Sequence, residues 1–215
     1  ASESPGHAAW DRLLALEGSS DALRLGALWY WCGLASLTAE DLGPDHERDP
    51  AKGGWEPMSA ADQARLLMLC QGSSKDISEA VALVAAELAP GLRDPQLLER
   101  CVNAWQLNAF ATGEAPQTHA VFFLASFASH SCFPNAVWHS DEKGLFVLRA
   151  RRRVAAGEEL TLSYLDEEAL LDSALLRRND LAKTKDFWCE CERCVDGEDR
   201  CRGMRCKACG AGTVF

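Results

Sequence analysis

The cysteine-rich segment "CECERC" constrains the fold of this chain more than any other feature. Cys189, Cys191 and Cys194 form a C-x-C-x2-C arrangement near the end of 215 residues. Thiols this close in sequence are poorly spaced for disulfides with one another, but they can converge on one cation from a tight loop. Structural zinc takes four ligands in tetrahedral geometry. The sequence therefore predicts a zinc site that needs one more ligand from elsewhere in the chain.

The loop "ASHSCFPNAVW", residues 128 to 138, offers that ligand. It places His130, Cys132 and Asn135 within six positions, a mixture that an ordinary buried strand does not need. Cys132 is therefore the predicted fourth ligand, and its bond to the metal would tie the polar tail to this loop. Structural zinc contributes about 10 kcal/mol or more to the folding of small modules. The alternative is that the three tail cysteines are reduced surface thiols.

The other six of the ten cysteines fall into two groups. Single cysteines in apolar stretches are most simply small buried side chains, and these are Cys32, Cys70 and Cys101. A second tail cluster consists of Cys201, Cys206 and Cys209. There Gly210 suits a tight turn that points amide N–H groups at a thiolate. This cluster supplies three ligands of a second zinc site, so a fourth would lie beyond Phe215; a flexible end without metal is the alternative.

The charge balance restricts the class of partner. With 22 basic against 32 acidic residues, the net charge is −10. An acidic surface repels the phosphates of nucleic acids and tolerates a basic polypeptide, although most of these charges are expected simply to be solvated. No apolar run reaches the ~20 residues of a membrane span. We therefore expect a protein of the cytoplasm or nucleus that does not bind nucleic acid directly.

Residues 1 to 115 are predicted to be helical. Apolar residues recur at three- and four-residue spacing in "WDRLLALEG" and "DALRLGALWYWCGLASLTAE". In "SAADQARLLMLC", Ser59 and Asp62 occupy the positions of an N-cap and of the third helical residue. Pro95 stands at the start of a further helix. Residues 43 to 57 are rich in Gly, Pro and charge and are predicted to be a loop.

Residues 116 to 166 are predicted to be a small β-rich region. "AVFFLASF" is short and apolar, and "AVWH" and "LFVLRA" flank the turn "SDEKG" as in a hairpin. "RRVAAGEELTLSY" combines a turn at Gly157 with a strand in which Leu160, Leu162 and Tyr164 share one face. Residues 167 to 215 are predicted to be a helix followed by the Cys-rich zinc-binding tail. The predicted fold class is therefore α+β.

Four segments together resemble the SET-domain protein-lysine methyltransferases, in the branch that combines SET with a MYND zinc finger. "SHSCFPN" resembles the family's Asn-His-Ser-Cys-x-Pro-Asn loop, and "GEELTLSY" resembles its Gly-Glu-Glu-Leu-Thr-x-x-Tyr strand. "RRNDLAKTKDFWCECERC" resembles the helix and post-SET cysteines, and "NAF" at 108 to 110 resembles a short Asn-x-Phe segment. The order and separations of all four, over residues 100 to 195, make the resemblance specific.

The resemblance implies a fold, a cofactor and a set of site residues. S-adenosylmethionine is implied to bind where the loop and the Tyr strand form a pseudoknot, and a substrate lysine to enter from the opposite side. Tyr164 is implied to be the catalytic residue beside the methyl group. The residues implied in cofactor binding are Asn108, Ser126, Ser129, His130, Tyr164 and Phe187. The implied post-SET zinc ligands are Cys132, Cys189, Cys191 and Cys194.

Two departures from the family pattern leave an alternative open. Ser129 stands where the family has Asn, and a hydroxyl reaches less far than an amide. The N-terminal SET half with its Gly-x-Gly turn and the MYND cysteines are not found, which we interpret as a fragment beginning inside the family's helical insert. The leading hypothesis is methyl transfer from S-adenosylmethionine to the lysine ε-amine of a protein substrate, histone or non-histone.

Two other hypotheses belong to different classes. One is a zinc-stabilised interaction module derived from a SET domain that no longer catalyses. The other is a zinc-ribbon-like nucleic-acid binder, which the charge of −10 disfavours.

Overall fold

The computed structural model describes residues 7–44, 46, 55–112, 118–141, 144–196, 199 and 203–214. The chain divides into two units, residues 1–109 and 110–215. Helices dominate the first unit and short strands with two helices the second, which confirms the predicted mixture of helix and strand. The predicted domain boundaries at residues 115 and 166 remain predictions. Among the described helices, none combines the length and the apolar character that crossing a membrane requires.

The first unit consists of six described helices. They are α1 (His7–Leu16), α2 (Asp21–Ala35), α3 (Ala39–Leu42), α4 (Ala60–Leu66), α5 (Glu79–Leu88) and α6 (Pro95–Asn108). The predicted cap at Ser59 is confirmed, because its hydroxyl accepts a hydrogen bond from the Asp62 N–H at 3.1 Å. Pro95 is the first residue of α6, also as predicted. Within the predicted loop 43 to 57, residues 45 and 47–54 lie outside the described part of the chain.

Two helices are shorter than the sequence predicts. The apolar pattern from residue 21 to 40 is divided into α2 and α3, because Thr38 and Asp41 form a capping box that starts a new helix. α4 ends at Leu66, so Cys70 follows the helix and is exposed. The prediction that Cys70 is buried is therefore wrong. Cys101 is fully buried in α6 as predicted, and Cys32 is half-buried.

The core of the first unit forms where α2 approaches α6. A Cβ atom on Gly33 would lie 2.4 Å from Cγ2 of Val102, so only glycine permits this approach. Fully buried leucines from three helices surround the contact; they are Leu13, Leu23, Leu34 and Leu98. This unit thus has a conventional apolar core of its own.

The second unit contains four two-stranded sheets and two helices in its described residues. The strands are β1 (Phe110–Thr112), β2 (Thr118–Ala120), β3 (Ser129–His130), β4 (Ala136–Ser140), β5 (Phe146–Ala150), β6 (Thr161–Leu162), β7 (Met204–Arg205) and β8 (Thr213–Val214). The helices are α7 (Ala174–Lys185) and α8 (Glu192–Val195). β3 and β6 pair in parallel, and the other pairs are antiparallel. The β4–β5 pair confirms the predicted hairpin.

Three predicted elements differ from those observed. "AVFFLASF" leaves the ladder after Ala120 and ends in a 3-10 turn, and Phe122 instead packs against Phe146, with ring centroids 4.7 Å apart. Of the strand predicted over 160–164, only Thr161–Leu162 pairs. The helix predicted from residue 167 begins at Ala174, because the Ser173 hydroxyl caps it. In the first and third cases a tertiary or capping contact overrides the local pattern.

Asn135 fastens the loop after β3 to β6. Its side-chain carbonyl oxygen accepts a hydrogen bond from the Thr161 N–H at 2.9 Å, and its side-chain NH₂ donates to the Glu159 carbonyl oxygen at 2.8 Å. Its own N–H donates to Oγ1 of Thr161 at 3.0 Å. Asn135 is only 2% exposed. The sequence-based interpretation of Asn135 as a support of this loop agrees with these contacts.

We expect Asn135→Ala to destabilise the protein by about 1–3 kcal/mol, because it leaves buried backbone groups without hydrogen-bond partners. Urea-induced unfolding followed by circular dichroism measures the change. Asn179→Ala is the control, since Asn179 is an exposed residue of α7 and its replacement in a helix should cost nothing. Equal midpoints for the two variants would contradict the assignment.

Candidate functional site

Four thiols converge in the second unit. The Sγ atoms of Cys132, Cys189, Cys191 and Cys194 all lie within 4.8 Å of one another. Sγ of Cys132 is 3.5 Å from that of Cys194 and 4.0 Å from that of Cys189. A tetrahedron with Zn–S bonds of ~2.3 Å has edges of about 3.8 Å. The four residues therefore fit a tetrathiolate metal site.

The same distances exclude disulfides within the cluster, because a disulfide bond is only ~2.05 Å long. Three of the thiols are buried, and Cys191 is half-buried. Burial raises the pKa of Cys189 to about 12. The pKa of Cys191 is lowered to about 3, because the Cys132 thiol and backbone N–H both donate hydrogen bonds to its sulfur. The geometry thus already favours a thiolate at one corner.

Local structure brings the tail thiols together. Asp186 adopts the left-handed conformation (φ 59°) and ends α7, which turns the chain toward the cysteines. Cys191 then precedes α8, and its carbonyl oxygen accepts a hydrogen bond from the Cys194 N–H at 2.8 Å. This short turn holds the last two thiols on one side. Cys132 reaches them from the loop after β3.

Charged side chains surround the thiol cluster. Arg177 is fully buried, and its Nη2 lies 3.5 Å from Sγ of Cys194. Arg193 donates from Nη1 to the carbonyl oxygen of Cys132 at 3.2 Å. Asp199 accepts hydrogen bonds from both arginines, at 2.7 Å from Nη1 of Arg177 and 2.8 Å from Nε of Arg193. We call these three residues the arginine–aspartate bridge.

Sequence reasoning missed the arginine–aspartate bridge. Arginine is usually exposed, so nothing in the helical pattern of α7 signals that Arg177 is buried. The position of Arg193 directly before Cys194 was the one available signal.

His130 links the thiol cluster to Tyr164. Its Nδ1 accepts a hydrogen bond from the Tyr164 N–H at 3.0 Å, so in the neutral ring Nε2 carries the proton. That Nε2 lies 3.2 Å from Sγ of Cys132. Burial lowers the pKa of His130 to about 4, which favours the neutral ring. The hydroxyl of Tyr164 donates to the carbonyl oxygen of Ala128 at 2.6 Å.

Aromatic rings gather at this point. The ring centroid of His130 is 5.3 Å from that of Tyr164 and 5.8 Å from that of Phe187. The Tyr164 and Phe187 rings meet edge to face at 6.2 Å. Nζ of Lys185 lies 5.8 Å from the centroid of the Tyr164 ring. The structure therefore brings together three of the predicted cofactor residues, and one ring already has a cation over it.

The other predicted cofactor residues have separate partners. Ser126 donates to the carbonyl oxygen of Phe122 at 3.1 Å. The hydroxyl of Ser129 donates to the carboxylate of Glu159. Asn108 belongs to the first unit, where its side-chain NH₂ donates to the carbonyl oxygen of Cys70 at 2.7 Å. Their roles at a cofactor site remain predictions.

The second tail cluster is partly described. Cys206 and Cys209 lie between β7 and β8, and the Gly212 N–H donates to Sγ of Cys209 at 3.2 Å. This hydrogen bond lowers the pKa of Cys209. The amide that points at the thiolate is thus that of Gly212, whereas Gly210 supplies the turn with φ 66°. Cys201 lies outside the described residues, so the second zinc site remains a prediction.

A comparison with protein families gives a match over more than half of the chain. The sequence profile described as "SET domain" matches residues 36–165. This is more than half of the 215-residue chain. The match begins within the helical first unit, well upstream of residue 116.

Several known proteins are similar to part of this chain. The SET domain-containing protein SmydA-8, isoform B, of Drosophila melanogaster is 38% identical over 102 residues, which are 45% of this chain and 22% of that protein. The histone-lysine N-methyltransferase ASHR1 of Arabidopsis thaliana is 27% identical over 150 residues, 64% of this chain and 30% of the relative. A SET and MYND domain-containing protein of Dictyostelium discoideum is 34% identical over 77 residues, 35% of this chain and 21% of the relative. The chain thus spans about a fifth to a third of these relatives.

We expect Cys132→Ala to weaken metal binding by more than about 100-fold, because the substitution removes a direct ligand. Losing an outer-shell partner typically weakens metal binding about 10- to 100-fold. Titration with Co²⁺, followed by its visible absorption in a tetrahedral thiolate site, measures the effect. The background carries serine in place of Cys201, Cys206 and Cys209, so that the second tail cluster does not contribute.

Cys101→Ala is the matched control, because Cys101 is a buried thiol of the first unit outside the cluster. An unchanged cobalt spectrum in Cys132→Ala would contradict the four-thiol site.

Proposed function

The chain belongs to the SET-domain family, and on that premise we propose that it serves in methyl transfer from S-adenosylmethionine to the lysine ε-amine of a protein substrate. The observation that carries the proposal is the contact of Tyr164 with the "HSC" loop beside the four-thiol cluster. The substrate is a basic protein, histone or non-histone, and the site of action is the cytoplasm or the nucleus. The names of relatives such as the histone-lysine N-methyltransferase of Arabidopsis thaliana support this reaction class.

The aromatic residues suit a cationic methyl donor. When bound, S-adenosylmethionine supplies a methyl group on a positively charged sulfur. Aromatic faces attract cations, and the Lys185 ammonium, 5.8 Å from the centroid of the Tyr164 ring, would have to move aside for a positively charged donor. Burial lowers the pKa of His130 to about 4, so its ring is neutral near pH 7 and adds no positive charge that would repel the donor. Residues proposed to hold it are Asn108, Ser126, Ser129, His130, Tyr164 and Phe187.

Tyr164 is the proposed catalytic residue. Its hydroxyl is held by the Ala128 carbonyl oxygen at 2.6 Å, and its backbone by His130 at 3.0 Å. A hydroxyl that donates to a carbonyl still has oxygen lone pairs to accept hydrogen bonds from a lysine amine. Such an acceptor fixes the direction of the amine, and alignment is what an in-line displacement requires.

The substrate lysine must lose a proton before it reacts. Its pKa in water is ~10.4, and both desolvation and a neighbouring positive charge lower it. The neutral imidazole of His130 and the partly buried rings of Tyr164 and Phe187 make the surroundings apolar. The chain thus contributes orientation and exclusion of water.

The four cysteines are proposed to hold a structural Zn²⁺. With four thiolates the coordination is complete, which is typical of structural zinc sites. The ion would join the loop of Cys132 to the tail that carries Phe187. The methyl-transfer site would then depend on metal for its shape.

A second candidate function is that of a SET-derived interaction module without catalysis. The observation that favours it is the Ser129 hydroxyl, which the Glu159 carboxylate already engages. In the family pattern this position holds an Asn with both a donor and an acceptor for the cofactor. Because the Ser129 hydroxyl already donates its hydrogen bond to Glu159, it has no donor left for a cofactor.

We expect Tyr164→Phe to reduce methyl transfer by about 100-fold or more, because the amine loses the acceptor that aligns it. The assay measures labelled methyl groups passed from S-adenosylmethionine to a panel of basic proteins. Tyr30→Phe is the matched control, because the chain has two tyrosines and Tyr30 lies in the first unit. Equal transfer by both variants would contradict the role of Tyr164.

Isothermal titration calorimetry with S-adenosylmethionine separates the two candidate functions. A methyltransferase binds the cofactor whether or not the protein panel includes its substrate. An interaction module shows no binding heat, and that result would overturn the enzymatic proposal.

A further inference from the structure

Arg177 is an unusual residue to find at the centre of the second unit. Its side chain is 0% exposed. It donates from Nη1 to Asp199 and to the carbonyl oxygen of Asp172, and from Nη2 to Sγ of Cys194. Its Nε has no hydrogen-bond partner among the described residues. A buried guanidinium is costly to desolvate unless opposite charge lies close to it.

The proposed zinc site provides that opposite charge. Four thiolates and one Zn²⁺ carry a net charge of about −2. Within the arginine–aspartate bridge, two cations and one anion leave one positive charge beside the thiols. With thiols in their neutral form, Asp199 alone would compensate two arginines, of which Arg177 is fully buried and Arg193 is 9% exposed.

We propose that Arg177, Arg193 and Asp199 form a charge-compensating outer shell that tunes how tightly the four-cysteine site holds its metal. Arg177 acts on a ligand sulfur directly, through the N–H group 3.5 Å from Sγ of Cys194. Arg193 acts on the loop, through the Cys132 carbonyl oxygen at 3.2 Å. Both are positioning residues, since neither binds the metal itself.

Asp199 sets the direction of both guanidinium groups. Its Oδ2 lies 2.7 Å from Nη1 of Arg177 and 3.2 Å from Nη2 of Arg193, and its Oδ1 lies 2.8 Å from Nε of Arg193. Arg193 therefore meets the carboxylate in a two-point contact, the geometry in which arginine binds carboxylates most strongly. One carboxylate thereby orients two cations, so that Nη2 of Arg177 meets Sγ of Cys194 and Nη1 of Arg193 meets the Cys132 carbonyl oxygen.

The Arg177 charge has different effects on the metal-free and the metal-bound forms. Without metal, removing this charge breaks the contact to Asp199 but also removes the cost of desolvating a buried cation. With metal, the same removal takes a hydrogen bond and a counter-charge from a ligand sulfur. Loss of Arg177 should therefore cost the metal-bound form more than the metal-free form, so that metal affinity falls. This inference rests on the zinc site proposed above.

The test compares Arg177→Met with Lys183→Met. Both substitutions remove one positive charge from α7, but Lys183 is exposed. Competition with a chromogenic chelator gives the zinc dissociation constant of each purified protein, in the background without Cys201, Cys206 and Cys209. We expect Arg177→Met to raise the constant about 10- to 100-fold, as losing an outer-shell partner does, and Lys183→Met to leave it near the native value. Circular dichroism at saturating zinc checks that both variants fold.

Arg193→Gln is the second variant, in case Arg177→Met does not fold. It removes the contact to the Cys132 carbonyl oxygen and is expected to weaken zinc binding in the same direction. If the protein that lacks only Cys201, Cys206 and Cys209 binds no zinc, the zinc site itself is overturned. If that protein binds zinc and every folded bridge variant binds it equally well, the outer shell alone is overturned.

Discussion

The meeting of one loop thiol with three tail thiols is the contact on which the second unit depends. Its described sheets have only two strands each, and isolated hairpins of this kind are marginally stable in water. Its fully buried apolar cluster is small, and three of the five members are Cys132, Cys189 and Cys194. Among its described residues, this unit has a smaller buried apolar cluster than the first unit, beside partly buried aromatic rings such as Phe122 and Phe146. A metal bound by the cysteines would therefore add substantially to its stability.

The same cluster joins stability to the proposed chemistry. Tyr164 and Phe187 pack against the buried cysteines, and His130 touches both Tyr164 and Cys132. The residues proposed for catalysis are thus separated from the proposed metal by one side chain. A change in metal occupancy would be transmitted to Tyr164 through the imidazole ring. Binding of metal and shaping of the site are accordingly one event in this interpretation.

The four-cysteine part of the site could be predicted from the sequence, because the residue types and their spacing indicate metal ligands. Three thiols in one short segment need a fourth ligand, and Cys132 stands in a loop whose composition an ordinary buried strand does not need. The cap at Ser59 and the helix start at Pro95 follow from residue type in the same way. Burial of Arg177 could not be predicted, because it depends on Asp199, 22 residues away. The prediction of a strand after Ala120 was wrong for the same reason, because the Phe122 ring packs against Phe146, which is distant in the sequence.

The parallel pair of β3 and β6 has a consequence for the accuracy of the site. Its two paired positions are Ser129 opposite Thr161 and His130 opposite Leu162. A slip by one position would move every side chain of such a strand to the opposite face. The buried amide of Asn135 meets Thr161 from both directions and so admits a single alignment. By fixing the alignment of β3 and β6, Asn135 thus also fixes the face of the strand on which the His130 imidazole lies.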